Sequence, residues 1–169
     1  MNKKLLLRKI QLSDCEVISS AFKAQGWDKP TAQYEKYFSF QENGERDVII
    51  AEYNQEFVGY LTIKWQSNYP LFQKKGIPEI VDFNVLKKYQ RLGVGTALMD
   101  EAEERIKRIS AYAGIGFGLY KDYGAAQILY IKRGYLPDGN GLIKDNFSVK
   151  HGDVVTVDDG LALCLIKEL

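Results

Sequence analysis

Apolar residues recur along the chain in two periods, and the changes between them mark out its elements. Leu5 to Ile10 read as a first strand. Ser13-Asp14-Cys15-Glu16 has the spacing of a capping box and predicts a helix through Val17 to Gln25, ended by Gly26. Behind Pro30, Tyr34, Tyr37 and Phe38 recur at helical spacing, so Thr31 to Gln41 read as a second helix with an aromatic face, broken by Asn43-Gly44. Asp47 to Tyr53 and Phe57 to Trp65 are β-branched and aromatic runs joined by Asn54-Gln55-Glu56, the pattern of a hairpin. Gln66 to Pro78, with Asn68, Pro70, Gly76 and Pro78, reads as a long loop. Loops of that length are often functional in compact domains, which makes it a first candidate for substrate contact.

Glu79 to Val85 alternate and predict a further strand. Gly93 to Ile109 give the clearest helix. Val94, Ala97, Leu98, Ala102, Ile106 and Ile109 share one face, while Glu103 with Lys107 and Glu104 with Arg108 stand at i,i+4 on the other. Ile115 to Tyr120 predict a strand, Tyr123 to Arg133 a short helix closed by Gly134, Asp138-Gly139-Asn140-Gly141 a turn, and Leu161 to Ile166 a terminal strand. This order makes a mixed α/β fold around one central sheet. Neither an internal repeat nor a linker rich in Pro, Ser or Gly divides the chain.

Composition narrows the class. A chain of 169 residues with 46% hydrophobic and 27% charged residues fits one ordinary globular domain. The formal net charge of +1, from 23 basic and 22 acidic side chains spread throughout, offers no footprint for nucleic acid. Cys15 and Cys164 lie far apart without metal-ligand spacing and read as buried free thiols in a reducing compartment. The start Met1 to Ile10 has an apolar run of only three before Arg8, which fits neither a signal peptide nor a membrane span, so the expected location is the cytoplasm.

The sharpest local feature is the predicted strand Ile80 to Val85, a turn, and Gly93-Val94-Gly95 opening the long helix. Two glycines at a helix start remove side chains that would hold a ligand away, so backbone N–H groups and the helix dipole can bind a phosphate. Equally, the pair could simply permit a tight strand-to-helix turn. The loop is neither a Gly-Lys-Ser/Thr P-loop nor Gly-x-Gly-x-x-Gly, and a pyrophosphate-bearing coenzyme without a catalytic metal fits better.

Val85-Leu86-Lys87-Lys88-Tyr89-Gln90-Arg91-Leu92-Gly93-Val94-Gly95-Thr96-Ala97-Leu98 resembles the acetyl-CoA motif of the GNAT superfamily of N-acyltransferases, with its Gln/Arg-x-x-Gly-x-Gly/Ala core. Ala126-Gln127-Ile128-Leu129-Tyr130-Ile131-Lys132-Arg133-Gly134-Tyr135 resembles the family's second segment, Ala-x-x-Leu-Tyr-x-x-x-Gly-Phe/Tyr. The resemblance implies one GNAT domain over residues 1–169, with a mixed central sheet flanked by helices on both faces. It implies acetyl-CoA as acyl donor, no metal, an amine acceptor and, at family level, a homodimer. It further implies that backbone from Gln90, Arg91, Leu92, Gly93, Val94, Gly95 and Thr96 holds the pyrophosphate, and that Phe83, Asn84 and Val85 pair with the pantetheine arm.

Tyr130 stands where the family often places the acid that protonates the leaving thiolate, and Glu79 where some members carry a general base acting through water. Tyr123 replaces an asparagine common in the family and, three and four residues from Ala126 and Tyr130, would share their helical face and line the cleft. Asp82 is a second candidate base, because a carboxylate within an apolar strand is costly unless paired or used. His151 reads as a loop residue. Trp65, Tyr69 and Phe72, with Trp27, Tyr34 and Tyr37 opposite, are candidates for aromatic walls around the acceptor. Glu42, Glu45, Asp47 and Glu52 are candidates for a local acidic patch. The expected reaction is direct transfer from acetyl-CoA to a primary amine of a small molecule or peptide. The alternative is a non-catalytic acyl-CoA-binding regulatory module of the same fold.

Overall fold

The computed structural model describes residues 5–169. Met1 to Lys4, the start of the segment expected to be neither leader nor span, lie outside the described residues. By internal contacts the chain forms two units, Met1–Trp65 with Val81–Arg105, and Gln66–Ile80 with Ile106–Leu169.

In the first unit β1 (Leu5–Lys9), β2 (Arg46–Tyr53), β3 (Glu56–Lys64) and β4 (Glu79–Val85, from Val81 on) are successive neighbours, with β1, β2 and β3 antiparallel. Helices α1 (Asp14–Ala24) and α2 (Thr31–Glu42) supply Cys15, Ile18, Phe22 and Tyr34 to a core completed by Ile10, Val48, Ile50, Tyr60 and Leu86. The capping box at Ser13 does not form, since that hydroxyl makes no cap hydrogen bond. Asp14 instead holds the chain just before the helix, accepting the Gln11 N–H at 2.7 Å and pairing with Arg8 at 2.7 Å. The hairpin connection is shorter than the sequence suggests. Asn54 and Gln55 alone turn the chain, at φ of 53° and 68°, the doubly left-handed conformation that matches strand twist in a two-residue hairpin. Of the expected acidic patch, Asp47 is paired with Arg105 at 2.9 Å and Glu52 with Arg8.

Helix α4 (Val94–Lys107) buries Val94, Leu98, Met99, Ala102 and Ile106, as its period predicts. Ile109 lies beyond its end and is 71% exposed, so it leaves the expected apolar face. On the solvent side Glu101 and Arg105 pair at 2.7 Å with i,i+4 spacing.

In the second unit the first two residues of β4 pair in parallel with β5 (Tyr112–Gly118), Glu79 opposite Gly114 and Ile80 opposite Ile115. Antiparallel neighbours follow in the order β5, β8 (Leu161–Glu168), β6 (Leu136–Lys144) and β7 (Phe147–Ser148). Four expectations change here. The supposed long loop contains α3 (Pro70–Lys75), with Pro70 in its first turn and Gly76 left-handed at its end, the asymmetry that Pro and Gly favour at helix ends. The strand expected at Ile115 to Tyr120 begins earlier, at Tyr112, and stops at Gly118. Asp138 to Gly141 are an irregularity inside β6, where the register with β8 shifts between Pro137 and Leu142, and Gly139 and Gly141 take φ of 83° and 73°. Helix α5 (Gly124–Lys132) follows a short turn, Lys121–Tyr123, so Tyr123 precedes the helix instead of opening it.

Gly59 sits where strand β3 comes closest to β4. A Cβ there would lie 2.7 Å from the Asn84 carbonyl oxygen and 3.1 Å from Val85 Cα, backbone that cannot swing aside. Gly59→Ala is therefore expected to destabilise the protein by about 1–3 kcal/mol, read as a lower midpoint in urea unfolding. An unchanged midpoint would show that β4 yields at this point.

Candidate active site

Two stretches of the first unit carry the coenzyme candidates. Phe83, Asn84 and Val85 end β4, and the chain then passes Leu86, a short helical turn at Lys87–Tyr89, and Gln90 to Gly93 before α4 begins. Gln90 does not reach outward: its Nε2 donates to the Val85 carbonyl at 3.1 Å and braces the start of the turn. Arg91 and Gly93 both take left-handed backbone, φ 62° and 81°, on either side of Leu92. Alternation of this kind turns successive N–H groups toward one concave side. The N–H groups of a first helical turn have no partner within their own helix, and the ladder here begins with Ala97 N–H donating to Gly93 O at 3.0 Å. Arg91, Leu92, Gly93 and Thr96 are exposed. Gly95 lets α4 approach β4, since a Cβ on it would stand 3.1 Å from the Phe83 ring. An exposed, side-chain-poor concavity of N–H groups at the start of a 14-residue helix fits the pyrophosphate of a coenzyme.

Immediately before these residues, Asp82 is left-handed in mid-strand, with φ 51°. Its carboxylate gathers five donors. Oδ1 accepts from Lys29 Nζ at 3.2 Å and Asn84 Nδ2 at 2.7 Å, and Oδ2 from Gln33 Nε2 at 3.0 Å, Tyr37 at 2.9 Å and Tyr60 at 2.5 Å. A carboxylate offers about four lone-pair directions, so this one has no vacant position from which to take a substrate proton. Burial, reinforced by the negative charge of Asp82, raises the phenols of Tyr34, Tyr37 and Tyr60, that of Tyr37 to about 12. The three phenols stay protonated, and Tyr37 and Tyr60 keep donating to Asp82. Tyr34 is thus a core residue, and Tyr37 a donor to Asp82.

The second unit carries the catalytic candidates. Glu79 Oε2 accepts from the Ser67 hydroxyl at 2.5 Å, and Ser67 Oγ accepts the Tyr69 N–H at 2.9 Å. The Tyr69 N–H occupies a lone pair of Ser67, so the single hydroxyl proton points at Glu79 and fixes that carboxylate oxygen. Tyr69 in turn donates to Asp138 Oδ2 at 2.7 Å, from the irregular stretch of β6. Tyr69 and Phe72 are buried core residues, not an open wall. The Tyr123 ring covers Gly118, whose absent Cβ would meet it at 2.4 Å, and its hydroxyl donates to Asp159 Oδ1 at 2.9 Å. Tyr130 is buried on α5, with its ring stacked on Phe117 at 6.4 Å and tilted against Tyr135 at 6.2 Å. Burial raises its phenol, which therefore remains a proton donor across the neutral range.

Lys29, Gln33, Tyr60 and Ser67 escape a sequence reading, because each acts through a partner distant in the chain. The one local signal is the i,i+4 spacing of Gln33 and Tyr37, which puts both on the same face of α2.

Residues 12–135 match the Acetyltransferase (GNAT) family. An N-alpha-acetyltransferase of Sulfurisphaera tokodaii is 30% identical over 124 residues, 63% of this chain and 72% of that protein. Among solved structures, Ard1 from Thermoplasma volcanium superposes with a TM-score of 0.70 at 16% identity, covering 98% of this chain and 97% of that one. A Salmonella typhimurium structure with its cofactor acetyl-CoA gives a TM-score of 0.66 at 18% identity, covering 97% of this chain and 93% of that one. The chain belongs to the GNAT family of acetyltransferases. Its activity is acetyl-CoA-dependent acyl transfer, on the mixed α/β fold of that family.

Both cysteines are free and buried. Burial, aided by the charges of Glu79 and Asp138, pushes the Cys164 thiol up to about 12, and burial likewise raises Cys15. At pH 8 a thiol with that value is ionised to about one part in ten thousand, and the thiolate is the reactive form. An aromatic disulfide reagent is expected to titrate neither cysteine in the native protein and both in guanidinium. Rapid reaction of the native protein would show that these sites open.

Proposed function

We propose that residues 1–169 act as one cytoplasmic N-acetyltransferase domain that moves the acetyl group of acetyl-CoA directly to a primary amine. Within a chain of this family, the reading rests on the left-handed pair Arg91 and Gly93 at the opening of α4. The relative from Sulfurisphaera tokodaii is named an N-alpha-acetyltransferase, which favours an amine acceptor.

Backbone N–H groups from Arg91 to Thr96 hold the pyrophosphate, with Gln90 bracing the turn before them, and main chain at Phe83, Asn84 and Val85 holds the pantetheine arm. Tyr123 is assigned to the coenzyme side through its ring. Acetyl-CoA supplies the thioester whose acyl carbon the amine attacks. Glu79, oriented by Ser67, accepts through water the proton that the ammonium must lose. Tyr130 donates a hydrogen bond to the departing sulfur: as the carbon–nitrogen bond forms and the carbon–sulfur bond breaks, the second proton shed by nitrogen passes to sulfur and the phenol ends as it began. A phenol raised by burial is a weaker acid than a thiol, so Tyr130 acts chiefly as a hydrogen-bond donor to developing negative charge. A relay through an acyl-cysteine is disfavoured, because both thiols are buried and held protonated. Positioning of the two reactants supplies most of the rate.

Calorimetric titration of acetyl-CoA is expected to show micromolar binding by the wild type and at least about a hundredfold weaker binding by Gly93→Glu, which puts a carboxylate at the anion site. Desulfo-coenzyme A should bind and ATP should not. A wild type that fails to bind acetyl-CoA would remove the proposal. Tyr130→Phe is expected to lower kcat by on the order of a hundredfold while leaving the acetyl-CoA affinity unchanged, and an undiminished kcat would take Tyr130 out of the chemistry.

A further inference from the structure

Lys29 lies on the segment between α1 and α2, yet its side chain turns inward until only 20% is exposed. Its ammonium stands 3.2 Å from Asp82 Oδ1 and 3.3 Å from the Tyr60 hydroxyl oxygen, with the rings of Phe22 and Tyr60 at 5.4 and 5.9 Å. One carboxylate, one phenol oxygen and two ring faces make up the chemistry that recognises an alkylammonium ion.

Stability alone does not call for this lysine. Asp82 already accepts from Asn84, Gln33, Tyr37 and Tyr60, so the carboxylate keeps four donors without Lys29. Ordering a four-carbon stem meanwhile forfeits its rotamer freedom. Backbone held in the left-handed region at a non-glycine residue, as at Asp82, concentrates at functional sites. Asp82 also adjoins Phe83 to Val85, the residues assigned to the coenzyme arm, and Asn84 donates its side chain to Asp82 from within that stretch.

We propose that Lys29 Nζ occupies the ammonium site of the acceptor as an internal competitor, and that the acceptor is an aliphatic primary ammonium with no carboxylate on the adjacent carbon. This inference rests on the acetyl-transfer reading. A free amino acid would bring a second carboxylate toward Asp82. The side chains left around it once Lys29 is displaced, Gln33, Tyr37, Tyr60 and Asn84, are all neutral and could not balance that charge. An alkylamine, an amino-acid amide and a peptide N-terminus share the admitted chemistry.

The test compares wild type, Lys29→Ala and the double variant Lys29→Ala with Asp82→Asn by NMR titration of n-butylammonium, alanine amide and alanine. Thiol release from acetyl-CoA is followed on the same samples. A tethered competitor acts at millimolar effective concentration, so Lys29→Ala should bind n-butylammonium and alanine amide about tenfold more tightly than wild type and acetylate them faster at low amine. Alanine should stay excluded, and the double variant should lose the gain. Equal affinities in wild type and Lys29→Ala, alanine bound as well as its amide, or tighter binding without faster acetylation would each overturn the inference. Lys29→Met, which keeps the stem and lacks the charge, replaces Lys29→Ala should the latter fail to melt cooperatively. Acetyl-CoA is titrated into each protein: its binding intact beside a failed amine result sinks this inference alone, whereas its absence in wild type sinks the acyl-transfer reading as well.

Discussion

Removing the Asp82 carboxylate from water costs several kcal/mol unless other donors replace the solvent, and the first unit is arranged to provide them. Gln33 and Tyr37 come from one face of α2, Tyr60 from β3 and Asn84 from β4 itself. Satisfying one charge thus fixes a helix against a strand. It also holds the left-handed step at Asp82, so that the three residues after it leave the regular alternation of a strand with a defined direction. The turn that opens α4 begins at the end of that stretch.

The second unit treats its polar groups differently. Glu79, Ser67, Tyr69 and Asp138 form a chain in which each hydroxyl passes one hydrogen bond on to a carboxylate. The irregular stretch of β6 carries Asp138, so the glycines at 139 and 141 bring an acid toward Tyr69 as well as bending a strand. Close packing sets the backbone here too: a Cβ on Gly114 would fall 2.4 Å from the fully buried Phe72 ring. The two acids of β4 are consequently unlike. Asp82 accepts from five donors, while Glu79 is aimed by a serine.

Periodic and local features were legible in the sequence. The β-branched runs, the long apolar face of α4 and the two glycine-bearing signatures led to the α/β class and to the family. What failed were patterns whose meaning depends on partners. Ser13 and Glu16 have capping-box spacing, but the Ser13 hydroxyl makes no cap bond and Asp14 is drawn to Arg8. Pro70 and Gly76 looked like loop punctuation and are in fact the two ends of a six-residue helix. Asp138 to Gly141 have turn composition, yet β8 continues to pair on either side and absorbs them as a bulge. Trp27, Tyr34 and Tyr37 were legible as an aromatic group. The contact of Tyr37 with Asp82, 45 residues further on, was not, since no local period encodes a contact between α2 and β4.

The two-residue turn at Asn54 and Gln55 reaches further than its size suggests. Its doubly left-handed backbone sets the pairing of Tyr53 with Glu56. Glu56 then accepts from Tyr89 at 2.5 Å and pairs with Lys88 at 3.7 Å, on the short segment that leads into the coenzyme turn. One added residue in the turn would slip the register and carry the Glu56 side chain to the opposite face. The turn is therefore constrained twice: its left-handed backbone favours Asn, Asp or Gly at positions 54 and 55, and its two-residue length decides on which face of the sheet the Glu56 carboxylate falls.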